Sequence, residues 1–481
     1  MQMDTTTSPT PQDRLTASRR MVLGLAGSGA AVAALSACAA GGGSSSEGGK
    51  ADGGGTKSDT NPFGVKDGST VEVVIFKGGY GDQYGIDAGK AYEKLHKGTT
   101  AKVSGTVNIQ PELQPRFIGG NPPDLFDNSG AQSLNAGALV SEKKLAPLDE
   151  LMKAKAVDGG TVGDTLLPGA TDPGTYSGKL YALNYVYTVY ALWYSAKQFK
   201  DKGWTAPKTW DDVMSLGEKA KQAGLALFAW GGQNAADYFM EMAIGMAVKQ
   251  GGKKVATTLD KLDAKAFEQP EIVQAYKAIE DAVKAGYFMK GGAGIKHTEA
   301  QTQWVQGKAV LYPSGSWIEN EQRGVTPEGY EMTGTPVPLL ASGSKMPLET
   351  IHGTAGEPFL VPAQGKNVAG GLEFLRVMLS KEQAKNFSKI TSSPTIVKDT
   401  LPEDAFGSTA LKSVNHMIKG AGENIIQWNF PDWYDTGKNF KPLWTSFLNG
   451  DITADQLREK PQGEFDKIRN DSSIQKFDVK S

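Results

Sequence analysis

The single cysteine of this 481-residue chain, Cys38, has a sequence context suited to covalent lipid attachment. It follows a Leu-Ser-Ala run at 35–37, the small-residue pattern after which lipoprotein signal peptidases cut. An apolar Ala/Gly/Val/Leu stretch at 21–34 comes before that run, and an Arg-Arg pair at 19–20 precedes the stretch. This order of basic, apolar and small residues is typical of an export signal. We therefore expect residues 1–37 to be removed on export and Cys38 to be lipidated.

The apolar stretch is too short to remain as a membrane helix, because crossing a bilayer core takes roughly 20 residues. Residues 18–23 match the twin-arginine export pattern, with export by the Sec route as the alternative. The Gly- and Ser-rich segment 38–60 is typical of a flexible tether. A buried core thiol is the other interpretation of Cys38, but the tether offers it no packing partner.

Composition excludes several function classes. Basic and acidic residues nearly balance at 51 and 53, and no Lys/Arg cluster predicts a nucleic-acid surface. We find no Gly-rich phosphate loop that ends in Lys and Ser/Thr, so we do not expect ATP to bind this chain. The four histidines lack the close spacing of a metal site, and we expect neither a metal nor a cofactor; they are His96, His297, His352 and His416.

Strand-like segments alternate with segments of helical apolar spacing, which predicts an α/β fold with a parallel sheet covered on both faces. The predicted strands are 70–76, 101–107, 124–127, 187–194, 309–312, 332–337 and 359–361. The predicted helices are 86–96, 112–118, 209–223, 235–248, 271–285, 298–306, 369–379 and 381–390.

Three polar residues follow predicted strand ends, where such sheets bind their ligands. Tyr80 comes just after the strand 70–76, and Asn128 and Ser129 come just after the strand 124–127. The glycines beside Tyr80 are also consistent with a simple tight turn, and Asn128 and Ser129 are also suitable helix caps.

One block of residues carries a family resemblance. Residues 178–183 (GKLYAL), 191–195 (ALWYS) and 203–210 (GWTAPKTW) resemble the central signature of the extracellular sugar-binding proteins of ABC importers. Further matches lie at 121–127, 307–312, 315–317 and 374–387, so that the resemblance spans nearly all of the mature chain. Within the family, the segments 61–65, 175–190, 314–321 and 355–364 are similar to the actinobacterial lipoproteins that capture N-acetylglucosamine and chitobiose.

The resemblance implies a type II periplasmic-binding-protein fold, with two α/β lobes, several hinge crossings and a cleft that closes on ligand. We place lobe one at 61–185 plus 310–354, and lobe two at 186–309 plus 355–481.

The family also implies a function. The protein would be a monomeric, non-enzymatic lipoprotein on the outer face of the cytoplasmic membrane, held there only by its lipid. It would deliver sugar to the permease subunits of an importer whose separate ATPase supplies the energy.

A pyranose ring presents apolar C–H faces and a polar edge, so a sugar site needs aromatic plates and paired hydrogen-bonding groups. Aromatic and polar residues in loop-like or crossing segments are therefore the candidate ligand-binding residues. They are Tyr80, Asn128, Ser129, Asn184, Tyr185, Trp230, Ser316, Trp317, Glu357, Trp428, Asp432 and Trp433.

Trp317 follows a Ser-Gly-Ser run at a predicted helix start, where the family places a ligand tryptophan. A helix-packing role is the alternative for Trp317. Packing within the core or at the hinge is the alternative for Trp230, Trp428 and Trp433, since tryptophan is largely buried in most proteins. An exposed carboxylate is the alternative for Glu357 and Asp432.

Two rival functions stay open at this point. A secreted glycoside hydrolase needs two carboxylates about 5–5.5 Å or about 6.5–9.5 Å apart, and no pair stands out among the many acidic residues. A binding protein for another mono- or oligosaccharide is the closer rival, because ligand pockets diverge within such a family.

Overall fold

A computed structural model describes residues 54–130, 132–474, 476–477 and 479. The predicted signal peptide, the lipidation residue Cys38 and most of the tether lie outside the described residues.

Eleven strands are present in the described chain. In chain order they are β1 (Thr70–Phe76), β2 (Thr100–Thr106), β3 (Leu125–Asp127), β4 (Thr175–Tyr176), β5 (Lys179–Leu180), β6 (Ala182–Ser195), β7 (Ala226–Phe228), β8 (Ala309–Gly315), β9 (Met332–Thr335), β10 (Ile351–Leu360) and β11 (Ile425–Ile426).

Seventeen α-helices surround these strands. They are α1 (Gln83–Leu95), α2 (Ile109–Ile118), α3 (Ala136–Ser141), α4 (Asp149–Lys153), α5 (Ala196–Lys202), α6 (Trp210–Gln222), α7 (Tyr238–Gly251), α8 (Lys254–Asp260), α9 (Pro270–Lys284), α10 (His297–Val305), α11 (Ile318–Gln322), α12 (Val368–Met378), α13 (Lys381–Thr391), α14 (Thr409–Ala421), α15 (Phe430–Trp433), α16 (Gly437–Leu448) and α17 (Ala454–Asn470).

Local sequence signals fix many of these boundaries. Thr209 and Asp212 form a capping box at the start of α6, in which each side chain accepts a hydrogen bond from the other residue's backbone N–H. At the end of α5, Gly203 adopts a left-handed conformation that glycine enters without steric cost. No described helix is both long enough and apolar enough to cross a membrane.

The main sheet runs β2-β1-β3-β10-β6-β8-β7, with β9 paired to β6 and β11 paired to β10. Pairing is parallel within β2-β1-β3 and within β8-β7, as predicted. Pairing is antiparallel where β10 meets β3 and β6, and where β6 meets β8 and β9. The sheet is therefore mixed, because two long strands pass in opposite directions between its two halves.

The strands β6 and β10 are these crossings. They pair from His352 opposite Tyr190 to Leu360 opposite Ala182. One end of this ribbon joins β3 through Phe359, and the other end joins β8 through Tyr190. One ribbon thus belongs to both halves of the sheet, which is the architecture of a two-lobed protein with a hinge.

The predicted lobes differ from the observed packing in two segments. The segment β8-α11-β9, assigned to lobe one, belongs to lobe two, because β8 pairs with β7, β8 and β9 both pair with the far end of β6, and α11 packs on α10. The helices α12 and α13, assigned to lobe two, pack on α1 of lobe one, where Phe387 meets Tyr84 edge-on at 5.0 Å. The physical reason is that the chain crosses back to lobe one within β10 itself, after β8 and β9 have completed the second half of the sheet. The other lobe boundaries stay predictions.

Candidate ligand-binding cleft

Three rings form a stack beside the crossing strands. Tyr190 and His352 lie directly opposite each other on β6 and β10, so their side chains share one face of the sheet. Their ring centroids are 4.7 Å apart and the rings are nearly parallel, at 9°. Trp428 stacks on the other face of His352 at 3.6 Å. It can do so because it follows β11, in which Ile426 pairs with His352.

Two further aromatic rings extend this stack. Trp317 meets Tyr190 edge-on, with centroids 5.5 Å apart and an interplanar angle of 90°. Tyr238, at the start of α7, lies 5.7 Å from Trp317. Tyr190, Tyr238 and Trp317 are only partly buried, so the aromatic surface they form is open to a ligand.

Glu241 contacts two rings of the stack. The Trp428 indole N–H donates to Glu241 Oε2 at 2.9 Å, and His352 Nδ1 lies 3.3 Å from the same oxygen. The hydrogen bond to Glu241 fixes the orientation of the Trp428 ring, and a rigid aromatic surface loses little entropy when a sugar packs on it.

Carboxylates line the same region. Burial raises the pKa of Asp237 to about 6, with Glu241 adding to the rise and Lys441 opposing it. Lys441 Nζ lies 3.5 Å from Asp237 Oδ2, and Oδ1 has no hydrogen-bond partner among the described residues. Such a buried oxygen is costly unless a donor reaches it. A ligand hydroxyl would supply that donor.

Asp432 belongs to the same acidic group. Its side chain is exposed to solvent. Desolvation by the surrounding protein and the charge of nearby Glu241 raise the pKa of its carboxyl. Because solvent reaches Asp432, we expect a smaller shift there than at Asp237.

A second pair of carboxyl groups, Asp127 and Glu357, lies on the other side of the cleft. Asp127, at the end of β3, is fully buried and accepts hydrogen bonds from Tyr84 Oη at 3.1 Å and from the Ser129 hydroxyl. Burial and the neighbouring Glu357 hold the pKa of Asp127 well above its ordinary range, and burial also raises the pKa of Glu357. Glu357 adopts a left-handed conformation with φ 58°, which costs a non-glycine residue energy and often marks a functional site.

Tyr80 lies near charged groups on both sides of the cleft. Its pKa is raised by burial and by the charges of Glu357 and Glu321. Burial also raises the pKa of Tyr190 well above its ordinary value, and the groups that add to that shift include Asp432 and Tyr80. Residues from both lobes therefore lie around one aromatic surface.

The two lobes also touch directly. The Asn320 side chain donates to the Gly79 carbonyl, next to Tyr80. On the same stretch, Arg323 donates to the Ile390 carbonyl at 2.7 Å and to Ser392 Oγ at 2.9 Å. Contacts between α11 of lobe two and loops of lobe one thus narrow the cleft beside Trp317.

Comparison with known proteins establishes the family. A family model of bacterial extracellular solute-binding proteins matches residues 77–385. The protein belongs to this family. The diacetylchitobiose binding protein NgcE of Streptomyces coelicolor is 44% identical over 426 residues, which cover 88% of this chain and 90% of that relative. The multiple sugar-binding protein of Streptococcus mutans is 22% identical over 46% of this chain and 52% of its own.

Solved structures show the same fold. Apo RafE from Streptococcus pneumoniae has a TM-score of 0.67 at 18% identity, covering 83% of this chain and 98% of that one. A chitin oligosaccharide binding protein has a TM-score of 0.64 at 20% identity, covering 83% and 98%. The predicted family and the two-lobed α/β fold are confirmed.

In this solute-binding protein, five predicted ligand residues surround the cleft: Tyr80, Trp317, Glu357, Trp428 and Asp432. Trp428 is 4% exposed and stands behind His352, so it supports the aromatic surface more than it forms it. Ser129 is close by, where it donates to Asp127. Trp317 immediately precedes helix α11, the position that its Ser-Gly-Ser context predicts.

The structure places two other predicted residues in the core. Tyr185 is 2% exposed, and its hydroxyl donates to the Met378 carbonyl at 3.0 Å. Trp230 is 3% exposed, and its indole N–H donates to the Met289 carbonyl at 2.9 Å. Both polar groups are satisfied within the protein, which corresponds to the packing alternative rather than to ligand contact.

The remaining predicted residues have local partners. Asn128 caps a loop, accepting from Leu134 N at 2.8 Å and donating to Leu134 O at 2.9 Å. Ser316 accepts from Val189 N at 3.2 Å. Asn184 is buried opposite Pro358 in the crossing ribbon. The side chains of Asn128 and Ser316 thus bond to the backbone near the cleft.

Trp433 differs from the expected aromatic plate. One face of its ring stacks on Phe477 at 4.8 Å and 12°, and Phe477 also meets Tyr176 of lobe one edge-on at 5.7 Å. The C-terminal segment thus covers a face that a sugar would otherwise use.

Sequence reasoning missed five residues that surround the cleft: Tyr190, Asp237, Tyr238, Glu241 and His352. The strand register that sets Tyr190 opposite His352 is not encoded in any local pattern. A local signal did exist for Asp237, Tyr238 and Glu241, since they open a helix after a Gly-Gly-Gln-Asn turn.

No group of three or more His, Cys, Asp or Glu residues in the described chain is arranged to hold a metal ion. A cavity of about 730 Å³ lies elsewhere, between β9 and α14, with Thr333, Lys412 and His416 in its wall.

Proposed function

We propose that this solute-binding protein captures N-acetylglucosamine or N,N'-diacetylchitobiose outside the membrane and delivers it to the permease of an ABC importer. The observation that carries the proposal is the similarity over 88% of the chain to a diacetylchitobiose binding protein. The cleft supports it, because its groups suit a neutral sugar.

The geometry matches the two sides of a pyranose. The partly exposed rings of Tyr190, Tyr238 and Trp317 offer apolar surface to the C–H faces. Asp237 and Asp432 offer oxygens that accept hydrogen bonds from ring hydroxyls. The N-acetyl group is an amide, so it would add one donor and one acceptor to be matched.

Attachment and assembly complete the proposal. A lipid on Cys38 would hold the protein at the outer face of the cytoplasmic membrane. The protein would act as a monomer, and both lobes would meet the permease while a separate ATPase drives transport.

Hydrolysis is the rival activity, since the cleft holds several carboxylates. The family binds solutes, and the Glu241 carboxylate near Tyr190 accepts a hydrogen bond from the Trp428 indole. Chromatography of the sugar after incubation with the protein would reveal any cleavage.

Isothermal calorimetry with a panel of sugars tests the function. The panel is N-acetylglucosamine, diacetylchitobiose, maltose, xylobiose and cellobiose. Tight binding confined to the two N-acetylated sugars, with no product formed, supports the proposal. Binding of another member alone would keep the family and discard the ligand.

A further inference from the structure

Asp260, the last residue of α8, lies behind the loop that carries the late aromatic residues. Its Oδ1 accepts hydrogen bonds from two successive backbone amides, Asn429 N at 2.7 Å and Phe430 N at 2.9 Å. The residue is 5% exposed, and no described cation lies within ion-pairing distance of it. The Asn429 side chain also hydrogen-bonds to this carboxylate. A buried carboxylate without a paired cation is costly to keep.

The anchored turn carries cleft residues on both sides. Trp428 directly precedes the two bonded amides. The Asn429 carbonyl then accepts from Asp432 N at 3.1 Å and from Trp433 N at 2.9 Å. Fixing the amides of Asn429 and Phe430 therefore fixes where the turn starts, and with it the directions of the Trp428 ring and the Asp432 carboxylate.

The position of Trp428 in turn affects the aromatic surface of the cleft. Trp428 stacks on His352, and His352 stacks on Tyr190. A shift of the turn would break the bond from Trp428 to Glu241 and loosen that stack. Asp260 itself does not line the stack, so its effect on a ligand would be indirect.

We propose that Asp260 is a positioning residue for ligand binding: by holding the backbone amides of Asn429 and Phe430, it sets the Trp428–Asp432 turn against the aromatic surface of the cleft. The proposal rests on the proposed function, since it assigns to Asp260 a role in the same site.

Several charged groups share the surroundings of Asp260. The charge of Asp432 raises the pKa of Asp260, and the charge of Asp260 raises the pKa of Tyr434. Lys253 just before α8, Asp172 and Glu423 line the same cavity of about 530 Å³. Any pH dependence of binding therefore has several contributors, and substitution rather than pH titration is the direct test.

The chain offers a matched control. Asp124, in lobe one, is 4% exposed, and its two oxygens accept from Glu72 N at 2.8 Å and from Asn367 N at 2.6 Å. It immediately precedes β3 and bonds to Glu72 near the start of β1, whereas Tyr80 follows the end of β1. Asp260→Asn and Asp124→Asn thus each remove the charge of a buried carboxylate that accepts hydrogen bonds from two backbone N–H groups. Asp260 lies near the cleft and Asp124 lies away from it.

The experiment measures affinity for diacetylchitobiose and hydrogen exchange of the 428–433 segment in the full chain. We expect Asp260→Asn to weaken binding about tenfold, to speed exchange at 428–433 and to leave exchange at 351–360 unchanged. Asp124→Asn should lower the melting temperature about as much as Asp260→Asn does, while the affinity for diacetylchitobiose stays unchanged. Asp260→Glu, which keeps the carboxylate acceptor and its charge, should recover part of the affinity.

Two results would overturn the proposal: unchanged exchange at 428–433 in Asp260→Asn, or faster exchange there with unaltered affinity. Equal loss of affinity in Asp124→Asn would also overturn it, because the effect would then be general destabilisation. If the wild-type protein binds none of the N-acetylated sugars, the proposed function fails; the exchange data and the affinity for whichever panel sugar binds then decide the role of Asp260.

Discussion

The indole of Trp428 donates its N–H to Glu241 at 2.9 Å, across two segments that are distant in the sequence. Glu241 belongs to the first turn of α7, and Trp428 follows β11. The same carboxylate oxygen lies 3.3 Å from His352 Nδ1, so Glu241 orients the Trp428 ring and contacts the His352 ring on which Trp428 stacks.

Removing a ring from this surface should weaken sugar binding. We expect Trp317→Ala to reduce the affinity for diacetylchitobiose by about 1 kcal/mol or more, because the partly exposed indole would pack on the sugar. Calorimetry measures the change. Trp204→Ala is the control, since Trp204 is also partly buried but packs on Phe199 outside the cleft. Unaltered affinity in folded Trp317→Ala would remove Trp317 from the site.

Asp237 should link both stability and binding to pH. Its pKa is raised from 3.8 to about 6 in the folded protein, so its contribution to stability is present below pH 3.8 and is lost as the pH rises through 6. Asp237→Asn should therefore raise the melting temperature at pH 7 and have little effect near pH 4. An unchanged melting temperature at pH 7 would contradict this.

The same group predicts the opposite trend for the ligand. A carboxylate that accepts from sugar hydroxyls binds best when ionised, so affinity should increase as the pH rises through about 6. Asp237→Asn should weaken binding at pH 7 and flatten this pH profile. The exposed Asp201→Asn on α5 serves as the control, and a profile as steep in Asp237→Asn as in wild type would exclude the role.

Lys249 should give a stability trend of the other sign. It is fully buried in α7, where its Nζ donates to the carbonyls of Val337 and Leu348, and burial lowers its pKa from 10.5 to about 7. Between pH 7 and pH 10.5, Lys249 is protonated in the unfolded protein and neutral in the folded protein. Unfolding therefore takes up a proton, so stability should increase as the pH rises from 7 towards 10.5. Denaturant titration across this range should show the increase in wild type and a smaller one in Lys249→Met. Identical slopes would contradict the argument.

Much of the fold was predictable because its elements carry local signals. The periodic apolar residues of α9 place that helix at Pro270–Lys284, within one residue of the predicted bounds. The lobe assignment of β8 and of α12 was wrong, because which strands pair is set by long-range contacts. Trp317 was predictable from its context, whereas His352 gains its role only from its register with Tyr190 and from Trp428 on its other face. Trp230 and Tyr185 share the residue types of a sugar site, and only their burial separates them from it.

The affinity for diacetylchitobiose beside that for cellobiose tests the central claim most directly. The two disaccharides share a β-1,4 linkage and differ in the acetamido groups, so their ratio reports recognition of the N-acetyl sugar itself. We predict tight calorimetric binding of diacetylchitobiose and at least about hundredfold weaker binding of cellobiose, since a site built for polar groups rejects an analogue that lacks them. Equal affinity for the two, or tighter binding of cellobiose, would contradict the account.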